Sequence, residues 1–172
     1  MKVSELMSGF TPSPDFEGFV TNDDWVLAVD ITGNATAEKD YIVAQMGVAG
    51  LDAQMNPITQ DKQYVRSGQS TIKTGTQRTF AVSGDRYLGD DFQDHCFSHS
   101  VLYGIGNAVV VPYIYFNVLN GKGEKGSVSI VVNSDGGGNS GENAAISIDL
   151  KKVGAIQKNT AFKIFLFIKS LH

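Results

Sequence analysis

The side chains best suited to chemistry lie together in one short segment of the chain. Asp91, His95 and His99 follow one another at intervals of four residues. Because residues four apart share one face of an α-helix, all three could face a common metal ion. The segment lacks a His-Glu-x-x-His arrangement, and no distant fourth ligand can be nominated. Asp91, His95 and His99 are therefore a candidate metal site, for which half-buried histidines on a packing face are the simpler interpretation.

Cys96, the single cysteine of the chain, lies in the same segment. As a nucleophile it would need an exposed position and a basic partner, which His95 or His99 could supply. Phe92 and Tyr103 lie near it at helical spacing, and aromatic neighbours indicate a packing face. We interpret Cys96 as a core residue.

Two further patterns lack features that catalysis needs. Asp90 and Asp91 are adjacent, so on a helix they point apart and form a poor acid/base pair. Residues 121–126 are rich in glycine but lack the Gly-Lys-Ser/Thr ending of a phosphate-binding loop, and a strand pattern follows them. We interpret residues 121–126 as a hairpin turn. The sequence therefore predicts no enzyme activity and no cofactor.

The segments around these residues have the pattern of strands. Apolar and polar residues alternate in five segments, which is typical of half-buried antiparallel strands. These segments are residues 25–31, 51–55, 79–83, 127–132 and 145–150. In residues 109–119 both faces are mostly apolar, which predicts a central strand buried on both sides.

One segment has helical spacing instead. Asp90 can cap a helix, with Gln93 as its capping-box partner. Gly104 and Gly106 can end that helix. The predicted fold class is therefore mainly β: an antiparallel β-sandwich or barrel with one flanking α-helix over about residues 90–103.

The length of 172 residues predicts one domain with an extension at each end. Residues 1–24 are predicted to form an extended N-terminal arm, because Pro12 and Pro14 remove backbone donors and favour extended neighbours. Residues 25–154 are predicted to form the β-sandwich domain, and residues 155–172 an apolar C-terminal extension.

Two other segments stand out by composition. Residues 56–76 are polar and are predicted to form a long loop, a feature that is usually functional or disordered in a compact domain. Residues 161–169 are strongly apolar, and we interpret them either as an added strand or as a tail that a neighbour covers.

Charge and hydropathy restrict the classes of partner. The formal net charge of −4 argues against a strongly basic nucleic-acid-binding protein. The first ten residues lack the cationic and apolar regions of a signal peptide. The longest apolar stretch, residues 164–168, is far shorter than the roughly 18 residues that a membrane span needs. We expect no membrane partner.

Several segments resemble the tail tube proteins, or major tail proteins, of bacteriophages. The most specific segment is the Gly-Asp-x-Tyr-x-Gly-Asp run at residues 84–90, which enters the predicted helix. The resemblance covers roughly residues 25–152. The segments that carry it are residues 50–64, 71–78, 80–90, 128–138 and 142–151.

This resemblance implies a structural role. It implies a β-sandwich or barrel with a flanking helix, assembled into hexameric rings that stack into a hollow tube. The genome would pass through the tube without specific binding. In such tubes the arm and the long loop contact the adjacent ring. The assembly contacts that this implies are Pro12, Pro14, Phe16, Asp61, Lys62, Tyr64 and Arg66.

The resemblance also implies partners and a location. The partners would be copies of the chain itself, a tape measure protein, a tail terminator and baseplate or tip proteins. The location would be the virion tail, assembled in the cytoplasm of a bacterial host.

Two alternative functions stay open. The chain could be a tube subunit of a contractile bacteriocin or injection system, which shares this fold. It could also be a carbohydrate-binding β-sandwich module. A sugar site would need aromatic platforms on exposed loops, and of these the predicted long loop offers only Tyr64, which favours assembly.

Overall fold

The computed structural model describes residues 1–154. Within them the chain forms nine β-strands and three short α-helices. The strands are β1 (Trp25–Val29), β2 (Ile42–Val43), β3 (Val48–Gln54), β4 (Pro57–Tyr64), β5 (Gly68–Thr76), β6 (Thr79–Asp85), β7 (Val110–Asn117), β8 (Gly123–Ser134) and β9 (Ala145–Val153). The helices are α1 (Val3–Leu6), α2 (Asp91–Cys96) and α3 (His99–Leu102), with single 3₁₀ turns at Met7–Gly9, Asn22–Asp24, Glu38–Asp40 and Gly106–Val109. The expectations for residues 155–172 lie outside the described residues.

Seven strands form one antiparallel sheet in the order β2-β1-β7-β8-β9-β6-β3. This confirms the mainly-β, antiparallel prediction. Strand β7 pairs with β1 on one side and with β8 on the other, and its residues from Tyr113 to Asn117 are all buried. The prediction of a strand buried on both faces is therefore confirmed.

The sheet curves around a single main core. Strands β1, β6, β7, β8 and β9 contribute its aliphatic and aromatic side chains, and Phe92 and Cys96 of α2 complete it. The two end strands of the sheet, β2 and β3, do not pair with each other. A cleft of about 290 Å³ lies along them and is lined by residues of both, including Val43 and Leu51.

A second, smaller core covers the opposite face of β1 and β7. Val3 and Met7 are buried there against Val26 and Ala28. The backbone holds this packing in place, since the Val3 amide donates to the Tyr41 carbonyl at 3.0 Å. The first nine residues therefore belong to the packed domain, in contrast to the extended arm predicted over residues 1–24. Their apolar residues have helical spacing, which the arm prediction did not use.

The helix predicted over residues 90–103 is interrupted. Asp90 caps α2, because its carboxylate accepts from the Gln93 amide at 3.1 Å. The Gln93 side chain does not complete a capping box; it is fully buried and donates to the Met46 and Asp85 carbonyls at 2.7 and 3.0 Å. Ser98 then has an extended backbone, and its hydroxyl donates to the His95 carbonyl at 2.7 Å. This local bond ends the first helix and α3 begins anew.

The long loop predicted over residues 56–76 is a β-hairpin. Strands β4 and β5 pair with each other as a separate two-stranded sheet, joined by residues 65–67. Every residue of β4 is exposed, so no buried face imposes a hydrophobic alternation on it. Residues 135–144, which are rich in glycine, connect β8 to β9. The turn predicted over residues 121–126 ends sooner, because β8 already begins at Gly123.

Candidate assembly surfaces

The structure does not bring the three candidate metal ligands together. Asp91 and His95 lie on α2, whereas His99 lies beyond the interruption, on α3. The His99 ring packs against Tyr103, with centroids 4.8 Å apart. In residues 1–154 no group of three or more His, Cys, Asp or Glu side chains could hold a metal ion. The candidate site is wrong because the spacing of four residues spans two helices instead of one.

Cys96 is a core residue, as its aromatic neighbours indicate. It is fully buried between the sheet and α2. Burial, together with the charge of Asp90, raises the pKa of its thiol to about 12. A thiol with such a pKa is protonated at neutral pH and is a poor nucleophile.

Among residues 1–154, no helix is long and apolar enough to cross a lipid bilayer.

The hairpin β4–β5 carries four of the predicted assembly residues. Asp61 accepts a hydrogen bond from the Thr71 hydroxyl across the two strands, at 2.7 Å. Lys62 and Tyr64 are exposed further along β4, and Arg66 lies in the turn with a left-handed backbone, at φ 67°. All four lie on one protruding element that shares little packing with the main core.

The two faces of this hairpin differ in polarity. Side chains alternate between the faces of a strand, and directly paired residues share a face. The face that carries Gln60, Lys62 and Ser70 also carries three larger apolar or aromatic residues, Ile58, Tyr64 and Ile72, each about half exposed. We call these three residues the apolar hairpin face. The opposite face is polar and carries Thr59, Asp61, Gln63, Gln69, Thr71 and Lys73.

The segment between the N-terminal helical turns and β1 carries the other predicted contacts. The Ser13 amide donates to the Leu119 carbonyl at 2.8 Å, which attaches this segment to the domain. Pro12, one of these predicted contacts, is buried within the subunit itself. Pro14 and Phe16 are exposed, and Phe19 is fully so. We call residues 10–21 the aromatic segment.

Sequence reasoning missed Ile58, Ile72 and Phe19 as surface candidates. Isolated apolar residues in a polar stretch gave no periodic signal in residues 56–76. The signal that was present is the spacing of Ile58 and Tyr64, an even number of residues apart, which places both on one face of a strand. It becomes informative only when the segment is known to be a strand.

No family model matches the chain, and neither does the sequence of any curated protein. Solved structures do match. A chain from the tail of an empty gene transfer agent particle, with C6 symmetry, aligns at a TM-score of 0.59 and 14% identity. The alignment covers 83% of this chain and 100% of that chain. This chain shares its fold with that tail protein.

A second structure agrees with the first. A chain from the virion of a native gene transfer agent particle aligns at a TM-score of 0.54 and 13% identity, covering 80% of this chain and 97% of that one. At such identities the similarity concerns the fold. It confirms, for the fold, the resemblance to phage tail tube proteins that the sequence indicates.

Proposed function

We propose that this protein is the structural subunit of a phage-like tail tube. The observation that carries the proposal is the match to the gene transfer agent tail, which covers the whole of that chain. The segments that resemble tail tube proteins in sequence lie mainly in the seven-stranded sheet, in the hairpin β4–β5 and in the turn that leads into α2. The resemblance of these sequence segments and the backbone geometry therefore favour the same family.

The exposed surfaces support an assembling subunit. The apolar hairpin face leaves aliphatic and aromatic side chains in water, and exposed apolar patches mark contact sites. The aromatic segment does the same with Phe16 and Phe19. Strand β3 ends the sheet and has no strand partner at its outer edge within residues 1–154. Unpaired strand edges are templates for a neighbouring chain.

The proposed assembly is a stack of hexameric rings. The C6 symmetry of the gene transfer agent tail supports six subunits per ring. Within it the hairpin and the aromatic segment contact adjacent subunits through Tyr64, Ile72, Phe16 and their neighbours. The same subunit contacts a tape measure protein, a tail terminator and baseplate or tip proteins in a tail assembled in the host cytoplasm.

The stacked rings form a conduit for DNA ejection. Each subunit carries a formal net charge of −4. Duplex DNA is bound through its phosphates by cationic surfaces, so an acidic subunit favours passage over binding. A tube of a contractile bacteriocin or injection system would use the same surfaces. Nuclease-protected DNA in particles purified from the host distinguishes the two.

Negative-stain microscopy of the purified full chain tests the proposal. At high concentration, with and without a crowding agent, we expect rings or tubes with six-fold class averages. Protein that stays monomeric at every concentration, salt and crowder tried would contradict it. Monomeric protein that binds a glycan array would favour the carbohydrate-binding alternative.

A further inference from the structure

The hairpin β4–β5 joins the domain only at its root. Its strands form a separate sheet, and nearly all of their side chains are exposed. The chain enters the hairpin through Asn56, whose backbone is left-handed at φ 43°, and leaves it through Gln77. One backbone bond closes this root, from the Gln77 amide to the Asn56 carbonyl at 3.1 Å. The Gln77 side chain adds a bond from its Nε2 atom to the Lys152 carbonyl, at 3.1 Å. Because an isolated two-stranded ribbon is only marginally stable, its direction depends on such side-chain contacts at the root.

Arg78, the next residue, lies where the root meets the domain. Its side chain is only 11% exposed. The Nη1 atom donates to the Ala53 carbonyl at 3.3 Å and to the Met55 sulfur at 3.1 Å, at the end of the strand that leads into the hairpin. The Nε atom donates to Glu124 Oε1 on β8, at 2.9 Å.

The same guanidinium also rests on the main core. It lies over the Phe80 ring at 4.7 Å and over the Tyr115 ring at 5.3 Å from the centroids. Glu124 is held in turn by the Tyr113 hydroxyl, at 3.1 Å. The rigid, planar guanidinium therefore connects the end of β3, just before the hairpin begins, to β8 and to the core rings at once. A flexible ammonium has no fork of donors to make these bonds together.

We infer that Arg78 is the positioning residue that fixes the direction in which the hairpin leaves the domain. By holding the hairpin in one orientation before assembly, it reduces the conformational entropy that a subunit loses when the apolar hairpin face packs on a neighbour. The gain in assembly rests on the proposed function, whereas the fixed orientation of the hairpin concerns the isolated subunit alone.

Arg86 provides a matched control within the same chain. Its guanidinium lies over the Phe97 ring at 4.8 Å and pairs with Asp94 at 2.8 Å. Its Nη1 atom donates to the Tyr87 carbonyl at 2.8 Å, and its side chain is 18% exposed. Arg86 thus has the same three kinds of partner as Arg78, but they lie beside α2 and not at the hairpin root.

The test is a distance distribution between two spin labels in the monomeric full chain. The labels are attached at Val65→Cys in the hairpin turn and at Val131→Cys on β8, both exposed positions. The buried Cys96 thiol stays unlabelled. Arg78→Lys should broaden the distribution, whereas Arg86→Lys should leave it as narrow as in the unsubstituted chain. Denaturation curves should show that both variants are folded at the temperature of measurement.

Equal widths in all three proteins, or equal broadening in both variants, would overturn the inference. If Arg78→Lys does not fold, Met55→Ala at an exposed position removes one contact of Arg78 at the root. It should broaden the distribution, and an unchanged width would again overturn the inference. If the unsubstituted chain forms no tubes, the proposed function fails while the distance measurement still decides the role of Arg78.

Discussion

Phe80 of β6 and Tyr113 of β7 pack against each other with ring centroids 5.2 Å apart, although β8 and β9 separate their strands in the sheet. This contact is possible only because the sheet curves until its inner face meets itself. Phe80 also contacts Tyr115, at 4.9 Å, so one ring joins both inward-facing tyrosines of β7. The curvature of the sheet therefore depends strongly on Phe80.

We expect Phe80→Ala to lower the free energy of unfolding by about 3–5 kcal/mol, because it leaves a cavity where a buried ring was. Urea denaturation followed by circular dichroism measures the change. Val131→Ala, at an exposed position of β8, is the control and should change stability by less than about 1 kcal/mol. A similarly small loss in Phe80→Ala would show that the ring is not central to the curvature of the sheet.

Gln93 joins the start of α2 to the turns before β3 and after β6. Its buried amide donates to two carbonyls, and its oxygen accepts from the Tyr87 amide at 2.9 Å. Gln93→Leu should therefore cost about 1–3 kcal/mol for each backbone group that is left buried without a partner. Thermal denaturation compares it with Asp91→Asn, at an exposed position of the same helix. Equal melting temperatures for the two variants would contradict this role.

His95 should make stability depend on pH. Burial lowers the pKa of His95 below its ordinary value of 6.5, and its buried Nε2 has no hydrogen-bond partner within residues 1–154. As the pH falls through 6.5, the unfolded chain takes up this proton before the folded chain does. The free energy of unfolding should thus decrease from pH 6.5 down to the folded pKa and show no further loss from this group below it.

Denaturation curves across this range, for the full chain and for His95→Gln, measure the effect. The variant should lack this part of the decrease. His99→Gln, at an exposed position, is the control and should retain it. If His95→Gln shows the same decrease as the unsubstituted chain, another group is responsible.

The seven-stranded sheet could be predicted because most of its strands have one or two buried faces. Burial of one face imposes the alternation at Phe80 and Val82, and burial of both faces imposes the apolar run in β7. The hairpin β4–β5 could not be predicted, since the residues of exposed strands need not alternate between apolar and polar. The break at Ser98 could not be predicted for another reason. Helical spacing continues through it to His99, and the helix ends because the Ser98 hydroxyl donates to the His95 carbonyl.

The candidate surfaces were predicted only in part. The family resemblance implied assembly contacts around Tyr64, which stay a prediction, and the register of β4 and β5 shows which of these residues share a face. At the N-terminus the prediction and the structure differ. The prolines indicated an extended arm, yet the tertiary packing of Val3 and Met7 incorporates the first nine residues into the domain.

The packed first nine residues and the exposed aromatic segment should respond differently to substitution. Met7→Ala should lower the free energy of unfolding by about 2–5 kcal/mol, because Met7 is buried in the second core. Phe19→Ala should leave the unfolding curve unchanged, because that ring is fully exposed, but should reduce tube formation seen by microscopy. A strong loss of stability in Phe19→Ala would place the aromatic segment in the core instead.

The apolar hairpin face gives the sharpest test of assembly. The double variant Ile58→Thr, Ile72→Thr removes apolar surface but keeps β-branched side chains, so the hairpin itself should persist. Because both residues are exposed in the subunit, the free energy of unfolding should stay within about 0.5 kcal/mol of the unsubstituted value. The concentration at which light scattering first detects polymer should increase, since less apolar area is buried between subunits.

The double variant Thr59→Ser, Gln63→Ser is the control. It changes the polar face of the same hairpin and should polymerise at the original concentration. If the two double variants shift this concentration equally, the hairpin does not distinguish its faces in assembly; if neither does, it contacts no neighbour in the polymer.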